Sequence, residues 1–240
     1  MKGLTAVITG ASGGIGKAIC RALAKEGVNL VLFGGTNAKK LQDFAAALKD
    51  EFKNIDITNY PCDLTDDAAV ISSFKKAAKT GVDILINNAG IAFGASVEDT
   101  DMRTFDKIMA LNFRAPVLIT KEALPYLKKS ARASIINIAS VVAHNGYPLQ
   151  SAYTASKHAL LGFTKSLAAE LYSQDIRVHV ISPGGVYTDM IKITRPDLSS
   201  DGMIMPEDVA GAVLFLLKNR TNAVIDEISL HRAGKQPFLG

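Results

Sequence analysis

Cysteine is nearly absent from this chain: Cys20 and Cys62 are the only two in 240 residues. Their positions match neither a disulfide framework nor the paired spacing of a metal site, so both read as core thiols and no metal is expected. Long apolar runs are missing as well. Nowhere do about 18 uncharged apolar residues follow one another, so no membrane-spanning helix is expected. Met1 leads almost directly into the first strand-like run, which leaves no room for the charged and apolar parts of a secretory leader; a soluble, cytoplasmic protein is the expectation. There is no internal repeat and no low-complexity linker. The net charge of +4 is spread over several helix-like segments, with Lys128-Lys129 the longest local cluster of interest. Charge scattered in this way reads as solvated surface rather than a nucleic-acid face, although a mildly positive field favours an anionic cofactor. At 48% hydrophobic residues, the chain fits a single domain over residues 1–240 with a large core.

What is present is alternation. Strand-like runs at 4–9, 28–33, 55–61, 82–87, 134–140, 176–182 and 223–230 are separated by helix-like stretches, among them 38–52, 66–79, 102–129, 151–172 and 207–218. Such alternation predicts an α/β fold with a parallel sheet covered on both faces. The runs around Ile84 and Ile136 are apolar nearly throughout, as strands buried on both sides must be, and are placed in the sheet interior. In open sheets of this kind ligands sit beyond the carboxyl ends of the strands. Gly10, Asp63, Asn88, Ser140 and Pro183 all fall just after or at such ends, so one rim is expected to collect the chemistry. Residues 183–206 form the one long stretch with weak periodicity, and 189–205 is expected to be a short substrate loop.

Two local patterns point to that chemistry. Tyr153 and Lys157 are four residues apart at the head of an apolar run, which puts them on one helix face, where an ammonium is expected to lower the pKa of a phenol. With Ser140 upstream, the triple reads as a proton-transfer site; taken alone, it reads equally as a tyrosine packed beside a surface lysine. The second pattern is Gly10-Ala11-Ser12-Gly13-Gly14-Ile15-Gly16, set between the first strand-like run and the first helix-like run. A glycine turn there lets backbone approach a pyrophosphate and points free helix N–H groups at it, so Gly10, Ser12, Gly14, Ile15 and Gly16 are the expected cradle. The spacing is not the usual G-x-G-x-x-G.

Together these motifs resemble the short-chain dehydrogenases/reductases. In family order the chain carries Thr9-Gly10-(x3)-Gly14-x-Gly16, Asp63, Asn87-Asn88-Ala89-Gly90, Asn112, Ser140, Tyr153-(x3)-Lys157 and Pro183-Gly184. The resemblance implies a Rossmann-type, doubly wound parallel sheet of about seven strands. It also implies an enzyme that interconverts a carbonyl and a secondary alcohol by hydride transfer with NAD(P). In it Tyr153 is the general acid/base, Ser140 polarises the reacting oxygen, Lys157 also bonds the nicotinamide ribose, and Asn112 holds a water next to the lysine. Without the family Asn112 reads equally as a polar residue that kinks its helix. The resemblance further implies that Asn88, Ala89 and Gly90 touch ribose while Asn87 bonds neighbouring strands. Asp63 is implied to meet the adenine amino group with Leu64 behind the ring, or else to cap the helix beginning near Asp66. Pro183, Gly184, Val186 and Thr188 are implied to meet the carboxamide, and Gly185 departs from the family pattern in a way expected to loosen that loop.

Cofactor and substrate are less marked. NAD-specific relatives carry an acid at the end of the second strand, and the segment Leu32-Phe33-Gly34-Gly35-Thr36-Asn37 has none. The usual NADP arginine is missing too. Thr36 and Asn37, with Lys39 or Lys40, are left to bind a phosphate, so NADP is expected, with NAD as the competing reading. The substrate is expected to be a small carbonyl or alcohol. A 3-oxoacyl carrier-protein reductase is the alternative, and a non-catalytic dinucleotide-binding regulator is an alternative of another class. Apolar residues on more than one face of 102–129 and 151–172 fit a homodimer or homotetramer. The tail, Ile228-Ser229-Leu230-His231-Arg232-Ala233-Gly234, lacks the family's common double glycine, which puts tetramer contacts through it in doubt.

Overall fold

The structure, a computed structural model, describes residues 1–189, 191 and 199–235. Seven parallel strands form one sheet in the order β3-β2-β1-β4-β5-β6-β7. They are β1 (Thr5–Thr9), β2 (Asn29–Gly34), β3 (Ile57–Pro61), β4 (Ile84–Asn87), β5 (Ser134–Ile138), β6 (Arg177–Pro183) and β7 (Glu227–Leu230). The helices are α1 (Gly14–Lys25), α2 (Ala38–Glu51), α3 (Asp67–Ala77), α4 (Met102–Met109), α5 (Ala115–Leu127), α6 (Ser151–Leu171) and α7 (Pro206–Lys218).

Side chains alternate across a strand, and here the alternation sorts the core into two layers. Ala6 and Ile8 of β1, Leu30 and Leu32 of β2, and Ile84 and Ile86 of β4 pack with α1, α2 and α7. Val7, Val31, Phe33 and Leu85 face the other way, onto α3, α5 and α6. The interior strands are buried on both faces because each residue serves one layer or the other, which is why β4 and β5 read as apolar runs broken only by Asn87, Ser134 and Asn137. The strand order reverses direction between β1 and β4, and this is where an open sheet leaves a crevice at its carboxyl rim.

Two differences from the sequence expectation exceed two residues. The stretch 102–129 is not one α-helix: Ala110–Arg114 forms a turn of π-helix between α4 and α5. Strand β7 begins at Glu227 rather than 223, because side chains hold the preceding segment. Arg177 donates to the carbonyls of Thr221 and Ala223, and Arg220 reaches back to Ala133 O at 2.9 Å. Of the expected substrate loop, 189–205, residues 190 and 192–198 lie outside the described residues.

One buried histidine bears on stability. His179 of β6 is 2% exposed. Its Nδ1 lies 2.7 Å from Ile225 O; a carbonyl only accepts, so Nδ1 carries the proton and Nε2 is left buried without a partner. Burial pushes its pKa below the ordinary histidine value. The folded state resists a proton that the unfolded chain accepts near pH 6.5, so this contribution to stability is present above about pH 6.5 and is lost as the pH falls below it. Thermal melts of wild type and His179→Gln at pH 7.5 and 5.5 should show the larger acid-induced drop in wild type; equal drops would contradict the assignment.

Candidate active site

The glycine turn after β1 is packed to the limit. Gly10 has φ +64°, and a Cβ on it would sit 2.9 Å from the Ala89 Cα, in the loop that follows β4. A Cβ on Gly16 would lie 2.2 Å from Gly10 O. Only hydrogen fits at either position, and the turn therefore brings the backbone of two strand ends together at the crevice. Gly13, the N-cap of α1, offers no side-chain cap, so the first-turn N–H groups of α1 are left for an anion. Ser12 and Ile15 are half-buried around this turn. A Cβ on Gly14 would meet Thr188 Cγ2 at 2.7 Å, so the loop after β6 closes against the glycine turn. A turn that a single Cβ would fill, at an uncapped helix start, fits the diphosphate of a dinucleotide.

Thr9, at the end of β1, organises the opposite wall. Its Oγ1 accepts from the backbone N–H groups of Asn88 and Ala89, each at 3.0 Å. Asn88 Nδ2 donates to Thr9 O at 2.9 Å and Gly10 O at 3.2 Å, so its amide hydrogens staple the two strand ends and are not aimed at a ribose. This role of Thr9 escaped the sequence reading, where only its place beside Gly10 marked it. Asn87 and Asn137 are register partners in β4 and β5, joined Nδ2 to Oδ1 at 2.8 Å. Asn87 also donates to Thr120 of α5, and Asn137 to Thr164 of α6 at 2.8 Å, so both helices are pinned to the sheet below the rim.

Asn112 sits in the π-helical turn and is fully buried. Its Oδ1 accepts from Ile91 N at 2.9 Å, while Nδ2 donates to Ile91 O at 2.9 Å and to Ser156 Oγ at 3.0 Å. Ser156 in turn donates to Tyr153 O at 2.7 Å. Asn112 thus ties the loop after β4 to α6. π-Turns of this type recur at functional sites. A Cβ on Gly90 would lie 3.2 Å from Asn112 Oδ1 and 3.6 Å from Lys157 Nζ, so Gly90, Asn112 and Lys157 enclose one small volume.

Tyr153 and Lys157 share a face of α6, with Nζ 5.8 Å from the ring centroid. Lys157 is 4% exposed and donates to Ile138 O, the last carbonyl of β5, at 2.9 Å. Burial without a counter-charge brings its pKa down to about 8. The Tyr153 phenol is raised above its ordinary value by burial, with a hydrogen bond to Ser140 working the other way. The spacing leads to the expectation that the Lys157 ammonium lowers the phenol; the shift is upward, with burial as its largest cause. Ser140 has extended backbone, and its Oγ accepts from Val142 N at 3.4 Å to cap the short 3-10 turn Val141–Ala143. Its own hydroxyl proton is directed to the Tyr153 oxygen, the hydrogen bond that works to lower the phenol.

The remaining sequence candidates divide. Asp63 is exposed, and Oδ1 takes both the backbone N–H and the hydroxyl of Thr65, at 2.9 and 2.7 Å, which holds its carboxyl below the usual range. The cap of α3 is Asp66, which accepts from Ala68 and Ala69, so Asp63 is not that cap. Leu64 is 3% exposed and is packed in the core. Asn37 spends Oδ1 on Lys40 N as the cap of α2; Lys39 pairs with Asp43; Thr36 and Lys40 are exposed. After β6, Gly184 N donates to Leu230 O at 2.7 Å, and Gly185 O accepts from Ile204 N. Buried Val186 bridges Ile204. These contacts hold the backbone on either side of Gly185 to β7 and to Ile204. Two surface cavities of about 310 and 550 Å³ around Phe52 and Ile55 open at the other end of the sheet, and no residue of this rim lines them.

Known proteins share this arrangement. The family model described as short chain dehydrogenase matches residues 4–199. A 3-oxoacyl-[acyl-carrier-protein] reductase of Rickettsia conorii is 36% identical over 234 residues, 93% of each chain. A D-beta-hydroxybutyrate dehydrogenase of Rhizobium meliloti is 35% identical over 216 residues, 88% of this chain and 82% of that one. Among solved structures, an alcohol dehydrogenase from the archaeon Thermococcus sibiricus complexed with 5-hydroxy-NADP superposes with a TM-score of 0.87 at 27% identity, covering 98% of both chains. The chain belongs to the short-chain dehydrogenases/reductases, and it is an oxidoreductase that works between a carbonyl or alcohol and a nicotinamide dinucleotide.

Proposed function

We propose that this enzyme is an NADP-preferring reductase of small ketones, reversible to secondary-alcohol oxidation, in which Tyr153 transfers the proton. The observation that carries the reading is the convergence of Ser140, Tyr153 and Lys157 at the carboxyl rim of β5, beside the glycine turn. A nicotinamide bound there supplies or takes the hydride. The chain's own residues do the rest. Ser140, whose hydroxyl is hydrogen-bonded to Tyr153 before substrate enters, turns that proton to the reacting oxygen as charge develops on it. Tyr153, kept protonated by burial at neutral pH, gives that oxygen its proton. Lys157, anchored on Ile138 O, holds a positive charge at the base of the phenol and offers its remaining hydrogens to a ribose. Asn112 keeps the wall around Gly90 and Ile91 in place, and Thr188, with Pro183, Gly184 and Val186, fixes the carboxamide side.

The NADP preference rests on the end of β2. No carboxylate stands between Leu32 and Asn37, and Lys40 and the Thr36 hydroxyl are exposed and in no ion pair or hydrogen bond of their side chains among the described residues. Asn37 Nδ2 and Lys40 are the proposed partners of a 2′-phosphate, and Asp63 Oδ2 that of the adenine amino group. Fluorescence titration should show NADPH binding at least about tenfold more tightly than NADH, with Lys40→Glu erasing most of the difference; one ion pair at an exposed site supplies about 1 kcal/mol. Tighter binding of NADH by wild type would overturn the preference. A screen of ketones and alcohols with both cofactors tests the reaction itself.

The names of several relatives favour a second substrate reading, a 3-oxoacyl group on carrier protein. Lys128 and Lys129, exposed past the end of α5, supply part of a basic mouth for such a carrier, and turnover of a 3-oxoacyl carrier protein above that of free ketones would select this reading. No described helix is long and apolar enough to cross a membrane. A soluble, cytoplasmic homodimer or homotetramer is proposed, with sedimentation as its check.

A further inference from the structure

Arg232 lies two residues beyond β7, in the tail that lacks the family's double glycine. In register, Ile138 of β5 pairs with Ile181 of β6, and Pro183 of β6 with Leu230 of β7. The chain past the three strand ends therefore carries Ser140, Gly185 and Arg232 out over one rim. Strands are spaced about 4.8 Å apart, so the strands leading to Ser140 and to Arg232 are separated by about 10 Å. Gly185 has no side chain, and the space a side chain would take is filled by others: a Cβ there would lie 3.2 Å from Met203 Cε and 3.9 Å from Arg232 Nε. Gly185, a departure from the family pattern, and Arg232 of the tail are therefore neighbours.

Arg232 is half-buried, and its one side-chain bond runs from Nη1 to Met203 Sδ at 3.4 Å. A thioether is a weak acceptor, and a guanidinium carries five N–H donors in a fork that matches a carboxylate. No carboxylate pairs with Arg232 among the described residues. The acid on β7, Glu227, is occupied: Oε1 accepts from Ser182 Oγ at 2.8 Å and lies against His144 Nε2. A cation stripped of part of its water and given only a sulfur in return is a place for an anion.

We propose that Arg232 receives the carboxylate of the substrate, making the preferred substrates short oxo acids and hydroxy acids whose reacting oxygen sits between Ser140 and Tyr153. This rests on the reductase reading above and names its substrate class. In the reduction, hydride from the nicotinamide forms the new C–H bond, the carbonyl π electrons become the alkoxide, and the Tyr153 proton completes the alcohol; the carboxylate takes no part beyond orienting the molecule across the rim.

The matched probes are acetoacetate and ethyl acetoacetate, which differ in the anionic group, tested on the full chain with NADPH and NADH. Wild type should favour acetoacetate at least about tenfold in kcat/KM. Arg232→Gln should raise KM for acetoacetate about tenfold or more while leaving the ester within about twofold, and Arg232→Lys should recover part of the loss. Equal use of the two compounds by wild type, or an Arg232→Gln variant impaired alike on both, overturns the proposal. Binding is read separately, as the rise in thermal midpoint that acetoacetate gives with cofactor present. A rise lost in Arg232→Gln but kept in Tyr153→Phe, without turnover of either compound, would leave the anion site standing and remove the reductase reading. No rise in wild type, or an equal Arg232-dependent rise with inorganic phosphate that abolishes the preference for acetoacetate, overturns the carboxylate assignment.

Discussion

Tyr153→Phe should lower kcat for ketone reduction by about 10³-fold, within the range typical for removing a positioned general acid, with the cofactor dissociation constant changed less than threefold. The substitution deletes one oxygen from a half-buried ring and leaves the packing of α6 untouched. Lys157 keeps its bond to Ile138 O, and Ser140 keeps its cap on Val142 N. What disappears is the proton that completes the alcohol, together with the hydrogen bond to Ser140. A Ser140→Ala variant should lose less, because Tyr153 still donates. Steady-state kinetics with a parallel cofactor titration separates the two effects; a Phe variant that turns over at the wild-type rate would remove Tyr153 from the chemistry.

Gly16→Ala should produce the largest structural effect of any single methyl added to this chain. The new Cβ would fall 2.2 Å from Gly10 O and 2.9 Å from the Ala11 Cα. These are backbone atoms of a turn that is itself fixed, Gly10 by its positive φ and by the Asn88 staple, so no flexible tip can give way. Overpacking of this kind costs about 1–3 kcal/mol and more where nothing relaxes. Cofactor binding should fall at least about tenfold, because the first turn of α1 moves with residue 16. Gly14→Ala is the useful contrast: its Cβ meets the Thr188 side chain, which can rotate, so stability should hold while the closure of the β6 loop onto the turn suffers. Thermal melts and fluorescence titration of both variants check this, and a Gly16→Ala protein as stable as wild type would contradict the packing argument.

Much of this was legible in the sequence because a parallel sheet writes itself plainly. Strands buried on both sides are apolar nearly throughout, as β4 and β5 are apart from Asn87, Ser134 and Asn137, and the glycine turn has to be glycine because backbone meets backbone there. The π-turn at Ala110–Arg114 was only half legible: Asn112 offered a kink, but nothing in Ala-Leu-Asn-Phe-Arg sets its type or extent. It coincides with Asn112, whose amide reaches Ile91 and Ser156, residues far away in sequence. The late start of β7 was hidden for the same reason, being set by Arg177 and Arg220 on other elements. The direction of the Tyr153 shift was misread because spacing on a helix gives the distance to Lys157 but not the depth of burial, and at this depth desolvation is the larger effect. Asn88 was read as a cofactor contact from its motif, while its amide hydrogens are spent on Thr9 and Gly10. The sequence did not show that Asn37 Oδ1 caps α2, which leaves only Nδ2 for the phosphate role proposed for it.

The most direct test of the central claim, that the buried Lys157 ammonium keeps Tyr153 competent to donate its proton, is the pH dependence of kcat/KM for ketone reduction in wild type and Lys157→Met. Burial has lowered the lysine to about 8, so the charged form prevails below that value and is lost above it, while the raised phenol stays protonated throughout. Wild type should hold a plateau on the acid side and decline as the pH rises through about 8, and Lys157→Met should be slow at every pH with no inflection there. A Lys157→Met enzyme that keeps the wild-type rate and the same inflection would contradict the account.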